Sequence, residues 1–302
     1  MNSPSPWAPW GWMLRAVRGY PRRAPLTLAY VCLLLAGHAW VGYGLSADRA
    51  AEVLGYLSTN VDNLRDHPVS ALLGSALFFD GTLTDVTSTD FVGTFITLGL
   101  GVCCFLAWAE HRWGKRRAVA VFLGGHVAAT LLTAVVITVA LRHGWYPAAV
   151  RQSLDYGVSY GAQTVLAIGT LALPRRGRLP WAVFVLAWPV GGAEWSGPLP
   201  DFTTVGHLTA AAIGFLLLGV PVFRRQRVRA AERPSPAGDV RATERSSPAG
   251  EVGPRRGSVV EIDVAGGRRT DASCGLSSGD AAVRGGVVGP VAACVTGFNW
   301  LG

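Results

Sequence analysis

Ala118-Val-Ala-Val-Phe-Leu-Gly-Gly-His-Val-Ala-Ala-Thr-Leu-Leu-Thr-Ala-Val-Val-Ile-Thr-Val-Ala-Leu141 runs without a charged residue between Arg117 and Arg142. The hydrocarbon core of a bilayer takes about 20 such residues as a helix, so this stretch reads as a membrane span. Working outward, five more apolar runs stand at residues 25–45, 92–109, 157–173, 179–193 and 204–223. Pro189, Gly191 and Gly192 should loosen the end of the fifth in chain order. Composition agrees: 50% of the chain is hydrophobic and 15% charged, where soluble domains carry about 25% charge. The expected fold is an all-α membrane bundle of six transmembrane helices.

The first run follows Arg15, Arg18, Arg22 and Arg23, as a signal peptide would, and Leu45-Ser46-Ala47 offers a cleavage site. It is nevertheless longer than the roughly 7–15 apolar residues of a signal, so it is expected to be retained. Basic residues then set the orientation. One side holds those four Arg, then Arg112, Lys115, Arg116 and Arg117, then Arg175, Arg176 and Arg178, then Arg224, Arg225, Arg227 and Arg229, fifteen in all. The other holds Arg49, Arg65, Arg142 and Arg151. Both termini are therefore expected in the cytoplasm and the protein in the cell membrane. Residues 1–24 read as a basic cytoplasmic segment and 25–225 as the membrane domain. Residues 226–302, rich in Gly, Pro, Ser and Arg, read as a disordered cytoplasmic tail.

The formal net charge of +8 rests on arginines, and no nucleic-acid motif accompanies it; nucleic acid is not an expected partner. The five cysteines form no CxxC or Cys/His pattern. Cys32, Cys103 and Cys104 read as small apolar fillers, and neither metal nor cofactor is expected. Membrane lipid and transmembrane segments of other proteins are the expected partners.

Polar residues inside spans are costly and point to function. The fourth span opens with Asp155-Tyr-Gly-Val-Ser-Tyr-Gly161 and the sixth with Gly206-His-Leu-Thr-Ala-Ala-Ala-Ile-Gly214. Both run in the same direction, and Ser159 and His207 each lie about a turn from the same end. At matching depth they can act as nucleophile and general base. Gly206, Gly214 and Gly219, with Ala210 and Ala211, should keep one face of the sixth span small enough for close approach. His126 is expected toward the cytoplasmic half, satisfying a hydrogen bond within the bundle. Glu110 reads as a boundary carboxylate paired to basic neighbours, Arg112, Lys115, Arg116 and Arg117, and His38 is the weakest of these signals. The loop between the first two spans contains an apolar stretch, residues 67–79, too short to cross and suited to the interface.

The pattern resembles the rhomboid family of intramembrane serine proteases over roughly residues 25–225. Gly157-Val-Ser159 is similar to the start of the family's Gly-x-Ser-Gly motif on its fourth helix, and His207 with Gly214 to its sixth helix. Glu110 and Gly114 match a Glu and Gly four apart after the second helix, and residues 67–81 the first-loop segment. The resemblance implies a Ser159–His207 dyad that cleaves peptide bonds near the outer surface. Tyr160 replaces the second motif Gly, its bulk expected in space that a substrate carbonyl would otherwise occupy or its hydroxyl acting there as a donor, and Ala210 stands for a Gly after the His. Asp80 takes the place of a His, and Thr94 and Leu98 fall where the family carries a His and an Asn that stabilise the oxyanion. These departures favour the alternative, a catalytically silent member that binds or escorts other membrane proteins.

Overall fold

The computed structural model describes residues 17–195 and 197–224, and every structural statement below concerns these. Segment 226–302 and most of 1–24 lie outside them. No β-strand occurs; a single bridge pairs Trp195 with Pro200. Three helices are long and apolar enough to cross a membrane. They are α1 (Pro25–Gly44, finishing in a π turn), α5 (Thr89–Trp113) and α6 (Lys115–Arg142). Between α1 and α5 lie three short helices, α2 (Ala47–Leu57), α3 (Val61–Asp66) and α4 (Pro68–Ser75). The shorter apolar helices α7 (Val158–Ala172) and α9 (Phe202–Leu217) flank α8 (Arg175–Gly191), which carries Pro180 and Pro189 inside it.

Each expected run falls on a helix, with shifted ends. α5 starts earlier than 92 because Ser88 caps it, its hydroxyl accepting from the Phe91 N–H at 3.1 Å, and it ends later than 109, at Trp113. The last run breaks instead of reaching Phe223. α9 stops at Leu217, and a separate short turn begins at Pro221, which cannot continue the helix. Gly219 therefore lies beyond α9 and is exposed, so it does not contribute to the small-residue face expected of it. Gly206, Ala210, Ala211 and Gly214 do: all four are buried.

α7 is the centre of the bundle, with α5, α6 and α9 packed around it. Val158 and every residue from Tyr160 to Ile168 are buried on it. Such contact needs small residues on the neighbours, since lipid supplies no hydrophobic drive between helices. A Cβ on Gly214 of α9 would lie 2.4 Å from the Thr164 carbonyl oxygen. The Thr164 hydroxyl donates to the Ala210 carbonyl at 3.2 Å, stitching α7 to α9.

The α5–α6 junction explains the Glu110/Gly114 spacing. The N–H of Gly114 donates to the Glu110 carbonyl at 2.9 Å, closing α5. At φ 84° Gly114 then reverses the chain in one residue, a conformation that favours glycine. The Glu110 carboxylate reaches across to the start of α1, so it does more than sit beside basic neighbours. It accepts from the Leu26 N–H at 3.0 Å and from both the N–H and hydroxyl of Thr27 at 2.7 Å. Those N–H groups belong to the first turn of α1, which has no side-chain cap of its own.

Candidate active site

The chain enters α7 through a fixed approach. Asp155 is buried, its N–H donating to the Ser58 hydroxyl at 2.8 Å and its carbonyl accepting from the Thr59 N–H at 3.0 Å. The Thr59 hydroxyl also lies 3.2 Å from the Asp155 carboxylate. Burial raises that carboxyl to about 6, against the lowering influence of the nearby Tyr160 hydroxyl and of the Thr59 hydroxyl. Two residues on, the Gly157 N–H donates to the Ser75 carbonyl at the end of α4.

His126 lies directly against this approach. A Cβ on Gly157 would fall 1.7 Å from its ring, which is why glycine is required there. Its Nε2 bonds the Leu72 carbonyl at 2.8 Å and meets the Ser75 hydroxyl at 3.4 Å. The fully buried ring thus satisfies hydrogen bonds on both sides: Nδ1 meets the Thr130 hydroxyl of its own spanning helix at 3.5 Å, and Nε2 reaches the first-loop helix α4, bracing the loop against the start of α7.

Ser159 is the one residue of Val158–Ile168 that is not buried. His207 sits on the second turn of α9, whose start is fixed by Asp201. That carboxylate accepts from the Thr204 N–H at 2.9 Å, the Thr204 hydroxyl at 2.7 Å and the Glu194 N–H at 3.1 Å, and from the Thr203 hydroxyl. Burial works against the Asp201 charge, yet these donors hold its carboxyl below the usual range. The His207 ring engages the Thr203 backbone and is flanked edge-on by Tyr160, centroids 5.3 Å apart, and by Trp188 of α8, also at 5.3 Å. Its Nε2 is buried and has no hydrogen-bond partner.

Ser159 and His207 line one cavity of about 460 Å³, together with Asp155, Tyr156, Thr97 and Trp188. No hydrogen bond joins the serine to the histidine. The remaining wall includes Asp80, Thr94 and Leu98. The Thr94 hydroxyl is committed to the Asp90 carbonyl at 2.8 Å, and Leu98 has no donor. The chain hugs Thr94 through Gly81, where φ is 133° and a Cβ would meet the threonine hydroxyl at 2.0 Å. Burial, then the nearby Asp80 and Asp155, push the Tyr156 hydroxyl up to about 12, so it stays protonated at the cavity edge.

Tyr160 does not fill substrate space beside Ser159 as expected, since it is not among the residues that line the cavity. Consecutive helical residues point about 100° apart, and its ring turns away between α7 and α9. It is fully buried and lies where a Cβ on Gly206 would meet it at 2.2 Å. Its hydroxyl, like His207 Nε2, is without a partner. Two further residues of the site carry no motif in the sequence. Trp188 packs on His207, and its indole N–H donates to Gln163 at 2.9 Å; Gln163 in turn donates to the Val185 carbonyl at 2.7 Å. A glutamine one turn after the serine, inside an apolar run, was the available signal.

Chemically, the cavity offers a half-buried hydroxyl and an unpartnered imidazole nitrogen. It also offers the first-turn N–H groups of α7, which no side chain caps. Among the described residues no group of His, Cys, Asp or Glu is arranged to hold a metal ion.

A family model described as rhomboid-like protein matches residues 19–227. No curated protein and no solved structure gives a match. The matched segment takes in all the helices described above, from the capped start of α1 through the serine and histidine helices. This chain belongs to the rhomboid-like family, as an all-helical, multi-pass membrane protein.

Proposed function

We propose that this protein is an intramembrane serine endopeptidase of slow turnover, with Ser159 as nucleophile and His207 as general base. The observation that carries the proposal is the buried, unpartnered Nε2 of His207, a residue that lines the same cavity as Ser159. A buried polar atom without a partner costs about 1–3 kcal/mol, and a proton-accepting role is one reason to retain it. His207 takes the serine proton as Ser159 attacks a peptide carbonyl, then returns it to the leaving amine. The N–H groups opening α7 receive the developing oxyanion. Thr97 on α5, which also lines the cavity, is a further hydroxyl for that role.

The proposal includes six spans, with α7, α8 and α9 completing the crossings inside the bundle and both termini in the cytoplasm. The fifteen-to-four distribution of basic residues supports this orientation, and it puts the cavity near the outer surface. Substrates are then transmembrane segments of other proteins.

A second reading, a silent family member that binds such segments, draws on Leu98 and on the committed hydroxyl of Thr94. Losing one oxyanion donor typically costs about 10²–10³ in rate, which is why slow turnover is proposed. A serine-directed fluorophosphonate separates the two. Labelling of the wild type that vanishes in Ser159→Ala and falls strongly in His207→Ala supports the enzyme; an unlabelled wild type supports the silent scaffold.

A further inference from the structure

A second cavity lies between α1, α4, α5 and α6, with a volume of about 450 Å³. Leu26, Ala29 and Leu33 of α1 form one wall, Val119 and Leu123 of α6 another, and Leu73 of α4 closes one end. The sole polar side chain of its lining is Tyr30, whose hydroxyl is satisfied by the Ala76 carbonyl. Ala29 and Leu33 are exposed, so the groove opens to the surroundings of the bundle.

Its length and its charged rim identify an occupant. From Leu26 to Leu33 the helical rise is about 10 Å, which fits within the roughly 15 Å depth of one leaflet's hydrocarbon. The groove begins one residue into α1 and four into α6, so both walls start at the end of the bundle where basic residues cluster. Lys115 and Arg116 precede Val119 by four and three residues, on the helical face that continues through Val119 to Leu123. Arg22 stands four residues before Leu26. All three basic residues are exposed.

We propose that this groove is a binding site for one anionic phospholipid, an acyl chain lying along Leu26, Ala29 and Leu33 and its phosphate held by Lys115 and Arg116, with Arg22 beside them. An apolar slot alone takes any chain, but basic side chains at its mouth select an anionic headgroup, each by about fivefold at a membrane surface. The bound chain fills the space between α1, α6 and the first-loop helix.

The test uses the purified full-length chain and compares phosphatidylglycerol with phosphatidylcholine of the same acyl chains, by native mass spectrometry and thermal unfolding. Phosphatidylglycerol should be retained and raise the melting temperature, with phosphatidylcholine at least tenfold weaker. The double variant Lys115→Ala/Arg116→Ala should lose that preference, and Ala29→Phe, which fills an exposed slot, should lose retention of the lipid. Equal binding of the two lipids, or a preference unchanged in the double variant, overturns the proposal. So does an equal shift from glycerol phosphate alone, which marks a free phosphate site, or retention of a partner's transmembrane helix in place of lipid.

Discussion

Glu110 closes the start of the first spanning helix from the end of the second. Its carboxylate lies 2.7 Å from both the N–H and the hydroxyl of Thr27, a residue with no exposed surface. Removing a cap costs about 0.5–2 kcal/mol, and stranding a buried donor adds about 1–3 kcal/mol. Glu110→Ala should therefore lower the stability of the detergent-solubilised protein by about 2–4 kcal/mol. Glu110→Gln, which keeps acceptor capacity, should lose less than half of that. Equilibrium unfolding of the two variants checks the order, and equal losses would contradict the capping role.

Tyr160 and Gly206 are coupled by contact, since a Cβ at position 206 would overlap the tyrosine ring. Gly206→Ala should be destabilising by about 1–3 kcal/mol, the usual cost of overpacking. In the Tyr160→Gly background the same substitution should cost far less. A double-mutant cycle measures this, and additive effects would mean that the helices do not meet here.

Asp155 makes stability depend on pH. Its folded carboxyl titrates near 6, above the ordinary value of 3.8, because burial disfavours the charge. The stability of the neutral form is fully present below about pH 4 and is lost as pH rises through 6, by about 3 kcal/mol in total. Asp155→Asn should remove this slope between pH 4 and 6 and raise stability at pH 7 relative to wild type. Thermal unfolding across that range checks it; an unchanged slope would place the titration elsewhere.

Much of this architecture is legible in the sequence because lipid imposes it. Helix existence followed from apolar runs, while the Glu110/Gly114 spacing stood only as a family resemblance until the structure showed the one-residue turn at Gly114. The helix ends were less legible, as they depend on caps such as Ser88 and on Pro221 beyond α9. At the site, Ser159 and His207 stood out because polar residues are rare in spans. Trp188 and Gln163 did not, since an aromatic and an amide in an apolar run gain meaning only once α8 packs on α7. Tyr160 was misplaced by chain adjacency: being next to Ser159 put it on a different helical face. His126 stood out, but its bracing partner did not, because Leu72 lies on a loop helix 54 positions away.

Orientation is tested by single cysteines in a cysteine-free background. Those placed at Arg176 or Arg225 should be shielded from impermeant thiol reagents in intact cells, and those at Asp62 or Ser196 should react. Labelling at Arg225 from outside would contradict six spans with both termini inside.

The central claim is that Ser159 and His207 act together on peptide bonds, and cleavage of a model transmembrane substrate by the purified protein tests it most directly. The account predicts slow cleavage, abolished in Ser159→Ala and reduced at least about 10³-fold in His207→Ala. Cleavage that survives Ser159→Ala, or none at all from wild-type protein whose folding and insertion are intact, would contradict it.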